Sequence, residues 1–205
     1  MTEEHTKAYI NFGKYNESLK EISINEEVEG GSQAEQCKFF IDYLIANPKI
    51  KTIVEIGFNT GVSSAYFLSA RDDIKVISVD IGVHQYVNEC KKLIDKHFPG
   101  RHILLIGDSK KIIPELNKSE PRIKPDLIFI DGDHVEPTPL IDARNCLALA
   151  DKDTVLVMDD TNLINGWAGV LQAMCELIKT KEIDCSRVLC QHQGRGAWTL
   201  FYKAS

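Results

Sequence analysis

The chain has 205 residues, 43% hydrophobic and 26% charged, with a formal net charge of −6 from 24 Lys and Arg against 30 Asp and Glu. These proportions fit one soluble globular domain and exclude disordered and fibrous classes. The acidic balance argues against a broad nucleic-acid footprint, which needs a basic face. No apolar run approaches the roughly 18 residues of a membrane helix. The opening MTEEHTKAY lacks the basic-then-apolar layout of a secretory signal, so the expected location is cytoplasmic.

Residues 1–31 are polar and acidic, with Glu26, Glu27 and Glu29 leading into Gly30-Gly31. They read as an N-terminal extension, a helix or lid outside the main core, with the principal domain spanning 32–205. Ser32 is placed to cap a helix whose Cys37, Phe40, Ile41, Leu44 and Ile45 share a face, and Asn47-Pro48 stops it. Short apolar runs then alternate with helical patterns. The runs are Thr52–Gly57, Val76–Asp80, His102–Gly107, Leu127–Asp131 and Val155–Asp159. The helices fall near Ser63–Ala70, Tyr86–His97, Ile112–Leu116, Leu140–Ala150 and Ala168–Lys179. Five nearly continuous apolar strands separated by helices predict a parallel sheet covered on both faces. Arg187–Gln191 and Trp198–Tyr202, joined by Gln-Gly-Arg-Gly, predict a closing antiparallel hairpin. The fold class is therefore α/β, a three-layer Rossmann-like domain with a seven-stranded, mostly parallel sheet. The six cysteines form no C-x-x-C pair, so reduced thiols are expected rather than a zinc or redox site.

In an open parallel sheet, ligands bind outside the carboxyl ends of the strands. Here an acid stands at or near each of them: Glu55 within the first, Asp80 ending the second, Asp108 after the third, Asp131 ending the fourth, and Asp159-Asp160 ending the fifth. Carboxylates converging on one crevice repel unless donors or a cation neutralise them, so the set points to a hydroxyl-rich, cationic or metal-bearing ligand. The first turn, Glu55-Ile56-Gly57-Phe58-Asn59-Thr60-Gly61, has the form E-x-G-x-x-x-G. Asn59 stands where the dinucleotide fingerprint has its second glycine, which disfavours a pyrophosphate ligand. Asp80, at a strand end 25 residues after Glu55, is placed to accept both hydroxyls of a ribose.

VEIGFNTG, VISVD and GDSKKIIPEL together resemble the motifs of class I S-adenosylmethionine-dependent methyltransferases over residues 33–205. The resemblance implies S-adenosylmethionine as cofactor, with Glu55, Gly57, Asn59, Gly61, Ser63, Asp80, Asp108 and Ser109 around it and Asp131 bordering both it and a metal. Asp131, Asp159 and Asp160 lie at the ends of adjacent strands and form an all-oxygen set suited to Mg²⁺ or another hard divalent cation. IDGDHVEPT and the Asp-Asp pair resemble the sugar O-methyltransferases of the macrocin and novobiocin type more than the catechol branch, whose pair is usually Asp-Asn. That likeness implies methyl transfer to a sugar hydroxyl, such as that of a deoxysugar like rhamnose, with Asp133 as general base and His134 as second choice. Gly30–Gln33, Val135–Pro139 and Asn162–Trp167 are placed near the acceptor, with Trp167 available to stack on a sugar face. A catechol or phenolic acceptor and a non-catalytic cofactor-binding module are the rival expectations. The expected partners are a small-molecule or glycan acceptor with a free hydroxyl and, in a homodimer, a second copy of the chain.

Overall fold

The computed structural model describes residues 1–22, 28, 32, 34–161, 167–184, 190–191 and 198–204. In chain order the elements are α1 (Glu3–Lys20), α2 (Ala34–Ala46), β1 (Thr52–Ile56), α3 (Val62–Ala70), β2 (Lys75–Asp80), α4 (Tyr86–His97), β3 (His102–Ile106), α5 (Ser109–Asn117), β4 (Leu127–Ile130), α6 (Thr138–Leu149), β5 (Val155–Met158), α7 (Ala168–Lys179), β6 (Ile183–Asp184), β7 (Cys190–Gln191) and β8 (Thr199–Lys203). The sheet order is β3-β2-β1-β4-β5-β8-β6, with β7 also on β8. β1 to β5 are mutually parallel, and β8 runs antiparallel to β5, β6 and β7.

The period-2 geometry of the strands sorts their side chains into two layers. Ile53, Leu127, Phe129, Val155, Val157 and Leu200 face a core shared with α1 to α4. Val54, Ile128, Ile130, Leu156, Met158 and Phe201 face the core under α5, α6 and α7. β4 and β5 bury both faces, which is why their sequences read as unbroken apolar runs, and β1 buries both as well, with Glu55 as the one charged residue inside it. The three-layer α/β class expected from the sequence is the observed one.

Several details differ. Among the described residues there are eight strands rather than seven, because Ile183–Asp184 adds a short piece against Tyr202 and Lys203. Antiparallel pairing of Cys190 with Leu200 and Gln191 with Thr199 is present, while residues 185–189 and the expected Gln-Gly-Arg-Gly turn lie outside the described residues. α5 starts at Ser109, three residues early, because the Asp108 carboxylate accepts the Lys110 N–H and caps it.

The N-terminal segment is also closer to the core than expected. Thr2 caps α1, and Glu3 and Glu4 sit in its first turn, where they oppose the positive end of the helix dipole. Ala8 and Tyr15 of α1 are fully buried in the core shared with α2, α3 and α4. Residues 23–27, 29–31 and 33, where the extension was expected to meet the domain, lie outside the described residues. Among the described residues no helix is long and apolar enough to cross a membrane.

Candidate functional site

Strand order reverses direction between β1 and β4, so the crevice outside their carboxyl ends is the topological switch point where such sheets bind ligands. The glycine turn after β1 closes one side of it. Gly57 has φ +90°, and a Cβ there would lie 1.8 Å from the Asp131 carbonyl oxygen, so the end of β1 touches the end of β4 only because residue 57 has no side chain. Asn59 is left-handed at φ 48°, and the Tyr86 hydroxyl donates to its Oδ1 at 2.8 Å.

The Asp80 carboxylate accepts the Phe58 and Asn59 amides on Oδ2 (3.0 and 2.9 Å) and the Gly82 amide on Oδ1 (2.7 Å). It therefore holds the glycine turn in shape from the neighbouring strand while standing half-buried at the crevice edge. From the opposite direction, the buried Tyr15 hydroxyl of α1 donates to the Thr60 carbonyl at 2.6 Å.

Glu55 does not reach the crevice. It is fully buried beneath the turn, where it accepts hydrogen bonds from Ser63, from Ser64 (2.5 Å) and from Ser78 (2.5 Å). Burial raises its pKa to about 7 against the opposing pull of the three hydroxyls. Ser78 also meets His102 Nε2 at 2.9 Å, and burial lowers that imidazole to about 3, so it is neutral. Ser63 is likewise buried and committed to Glu55. Both residues expected at the cofactor are thus buttresses of the turn. On the far side of β2, Asp108 caps α5, and the half-buried Ser109 donates to Asp142 Oδ1 at 2.7 Å. Burial raises Asp142 to about 6.

The acids of β4 and β5 divide. Asp159 is buried; its Oδ2 accepts the Gln36 amide of α2 at 2.6 Å and its Oδ1 accepts the Asp160 N–H at 2.9 Å. Burial and the Asp131 charge push its pKa well up. Asp160, left-handed at φ 52°, turns to the other side. The expected trio of Asp131, Asp159 and Asp160 is therefore not the one that converges. Asp131, His134 and Asp160 each offer a ligand atom within 4.8 Å of the others. His134 Nε2 lies 3.1 Å from Asp160 Oδ2 and 3.6 Å from Asp131 Oδ1. Burial lowers the His134 pKa, but the two carboxylates outweigh it and raise it to about 10. Asp131 is raised by burial despite the histidine.

His134 Nε2 is closed off from solvent yet makes no aligned hydrogen bond. With one potential ligand atom from each of Asp131, His134 and Asp160 within 4.8 Å of the others, the set fits a divalent cation. The His134 ring stacks on Trp167, with centroids 4.5 Å apart and an interplanar angle of 18°. Gly169 lets the start of α7 come against the same loop, since a Cβ there would meet the His134 carbonyl at 2.5 Å. Asp133 is exposed, with its Oδ1 accepting the Val135 amide at 3.0 Å. Of the expected acceptor segments, Val135–Pro139 and Trp167 are described, whereas residues 30, 31, 33 and 162–166 lie outside the described residues.

Sequence reasoning missed Gln36, Tyr15, Ser78 and His102. Gln36 had a signal, because it precedes Phe40 and Leu44 at four-residue spacing and so stands on the buried face of α2. Ser78 had a weaker one, as the one polar residue of VISVD besides its terminal Asp80.

Residues 54–161, slightly more than half of the chain, match the family model described as a methyltransferase domain. The structure is similar to that of an O-methyltransferase from Bacillus cereus solved with SAH, at 14% identity and TM-score 0.72, covering 95% of this chain and 91% of that one. A Podospora anserina methyltransferase, PaMTH1, also with SAH bound, shares 18% identity at TM-score 0.74, covering 95% and 88%. CalS11, a TDP-rhamnose 3'-O-methyltransferase of calicheamicin biosynthesis, shares 16% identity at TM-score 0.63, covering 93% of each chain. Comparison with curated proteins returns no sequence match. With the glycine turn at its switch point and the domain model matched across β1 to β5, the chain belongs to the methyltransferase domain family and is a class I S-adenosylmethionine-dependent methyltransferase.

Proposed function

We propose that this methyltransferase transfers the methyl group of S-adenosylmethionine to an oxygen acceptor, a hydroxyl of a sugar, with the help of a divalent cation. The observation that carries the reading is the convergence of Asp131, His134 and Asp160 beside the glycine turn, with Gly57 in contact with Asp131. A sugar hydroxyl is a poor nucleophile at neutral pH and has to lose its proton as it attacks. A divalent cation held by these residues supplies Lewis acidity that eases this loss.

The rest belongs to the chain's own groups. Asp80 and the backbone of the turn position the donor, and Gly57 brings the donor turn against the loop that follows β4. Asp133 is exposed at that loop and is the general base in this reading, taking the hydroxyl proton on its carboxylate. His134 is less suited to that task because its Nε2 faces the two neighbouring carboxylates. The sugar assignment rests on the Asp131-Gly132-Asp133 and Asp159-Asp160 pattern. CalS11, a TDP-rhamnose O-methyltransferase of similar fold, supports it.

The test is methyl transfer from labelled S-adenosylmethionine to panels of glycosides and of catechols, each with Mg²⁺, with Mn²⁺ and with a chelator. Labelling of a glycoside that the chelator abolishes is the expected result. Labelling of catechols alone overturns the sugar assignment, and labelling indifferent to the chelator overturns the cation.

A further inference from the structure

We propose that His134 is itself a ligand of the cation, so that the site is a one-nitrogen, two-carboxylate centre suited to a first-row transition-metal dication rather than to Mg²⁺. This rests on the cation reading above and goes beyond it by making the His134 nitrogen the donor that selects the class of metal.

The argument begins with why Asp159 is absent from the set. At the end of β5 its side chain follows the strand's alternation onto the α2 side, where Gln36 meets it at 2.6 Å; one carboxylate oxygen takes the Gln36 amide and the other takes a backbone N–H. Drawing it into the crevice would break both bonds and strand Gln36, which is 2% exposed. The left-handed backbone at Asp160 sends the next carboxylate the opposite way. This leaves two carboxylates at the crevice, one from each strand end.

The third donor is His134, three residues after Asp131, which the loop returns to within 3.6 Å of Asp131 and 3.1 Å of Asp160. The ring is held from outside the set. Trp167 stacks on its face, and the bare backbone of Gly169 admits α7 against the His134 carbonyl. A ring so fixed, with a solvent-shielded Nε2 that is aligned with neither carboxylate, has the form of a preorganised ligand.

The choice of metal follows from the donors. Mg²⁺ demands oxygen ligands and near-ideal octahedral geometry, whereas imidazole nitrogen suits the first-row dications. An Asp-His-Asp set therefore favours Mn²⁺ and its heavier neighbours over Mg²⁺.

The proposal is tested by titrating the tag-free full chain with Mn²⁺ and recording electron spin echo envelope modulation of the bound ion. Modulation from a directly coordinated ¹⁴N is expected, with Mg²⁺ displacing Mn²⁺ only at about tenfold or greater excess. His134→Ala is expected to remove the nitrogen modulation. His134→Asp, which restores an all-oxygen set, is expected to bind Mn²⁺ without it and to narrow the gap to Mg²⁺, so a folding failure of one variant leaves the other informative. Bound Mn²⁺ without nitrogen modulation, or modulation that persists in both variants, overturns the assignment of His134 and leaves the cation reading standing. No saturable Mn²⁺ or Mg²⁺ binding at millimolar concentration overturns both.

Discussion

At the scale of single residues, the most consequential contact is the least accessible. Glu55 is fully buried under three serine hydroxyls, and burial lifts its pKa from the ordinary carboxyl range to about 7. A carboxyl whose pKa is higher folded than unfolded stabilises the fold fully below the unfolded value near 4.5, and this contribution is lost as the pH rises through 7. Glu55→Gln keeps the shape without the titration. The variant is therefore expected to gain stability relative to the parent between pH 5 and pH 8, by about 2–3 kcal/mol as a ceiling. Denaturant midpoints at both pH values check this; a constant difference between the two proteins shows that Glu55 does not titrate in the window. Residue type and position in the first turn were legible in the sequence, but the side of the turn was not. E-x-G-x-x-x-G places Glu55 at a strand end without saying whether its carboxylate points out to a ligand or down to Ser64 and Ser78, because the serines come from α3 and β2. At Asp159-Asp160 the strand's alternation separates the two acids, but that Gln36 of α2 takes up Asp159 comes from a distant element and was not legible.

Among the elements, α1 departs furthest from its sequence. Its composition is polar and acidic, yet Ala8, Phe12, Tyr15, Leu19 and Ile22 recur at three- and four-residue spacing and all pack on the core, a stripe that the charged residues around it hid from the reading of an extension outside the domain. The apolar surface it covers belongs to α3, α4 and α2. Tyr15 links this helix to the glycine turn through the Thr60 carbonyl, and its hydroxyl packs where a Cβ on Gly61 would stand. Tyr15→Phe removes one buried hydroxyl and leaves its acceptor unmet, at a cost of about 1–3 kcal/mol. The expected melting point falls by roughly 2–10 °C, accompanied by weaker binding of S-adenosylhomocysteine in calorimetry. A drop in melting point with unchanged affinity assigns Tyr15 to stability alone. β4 and β5, in contrast, were readable residue by residue, since a strand buried on both faces has to be apolar throughout.

For the whole molecule, the alternation of apolar runs with helical patterns was enough to specify three layers and a parallel sheet, because parallel strands need crossover helices that cover both faces. At the closing edge the antiparallel hairpin was legible, whereas β6, only two residues long, carries too little periodicity to be read. The core also protects its thiols. Cys37, Cys90 and Cys146 are buried and unpaired, and burial pushes Cys37 up to about 12 and Cys90 up to about 11, while Cys175 on α7 is exposed. Among these four, brief treatment of the native protein with iodoacetamide is expected to label Cys175 alone, and the other three only after denaturation; peptide mapping reads the result. Native labelling of Cys90 or Cys146 contradicts the packing of α4 or α6.

The stacking of Trp167 on His134 has a further consequence. The chain holds two tryptophans, and the second, Trp198, is 2% exposed in the core with α2 packed on it. One indole therefore borders the crevice and the other lies deep in the sheet layer. Emission from the first responds to whatever draws the imidazole, while the second supplies a steady background. The protein carries its own optical gauge of its active crevice, and loading can be followed in unlabelled protein by the light of a single ring.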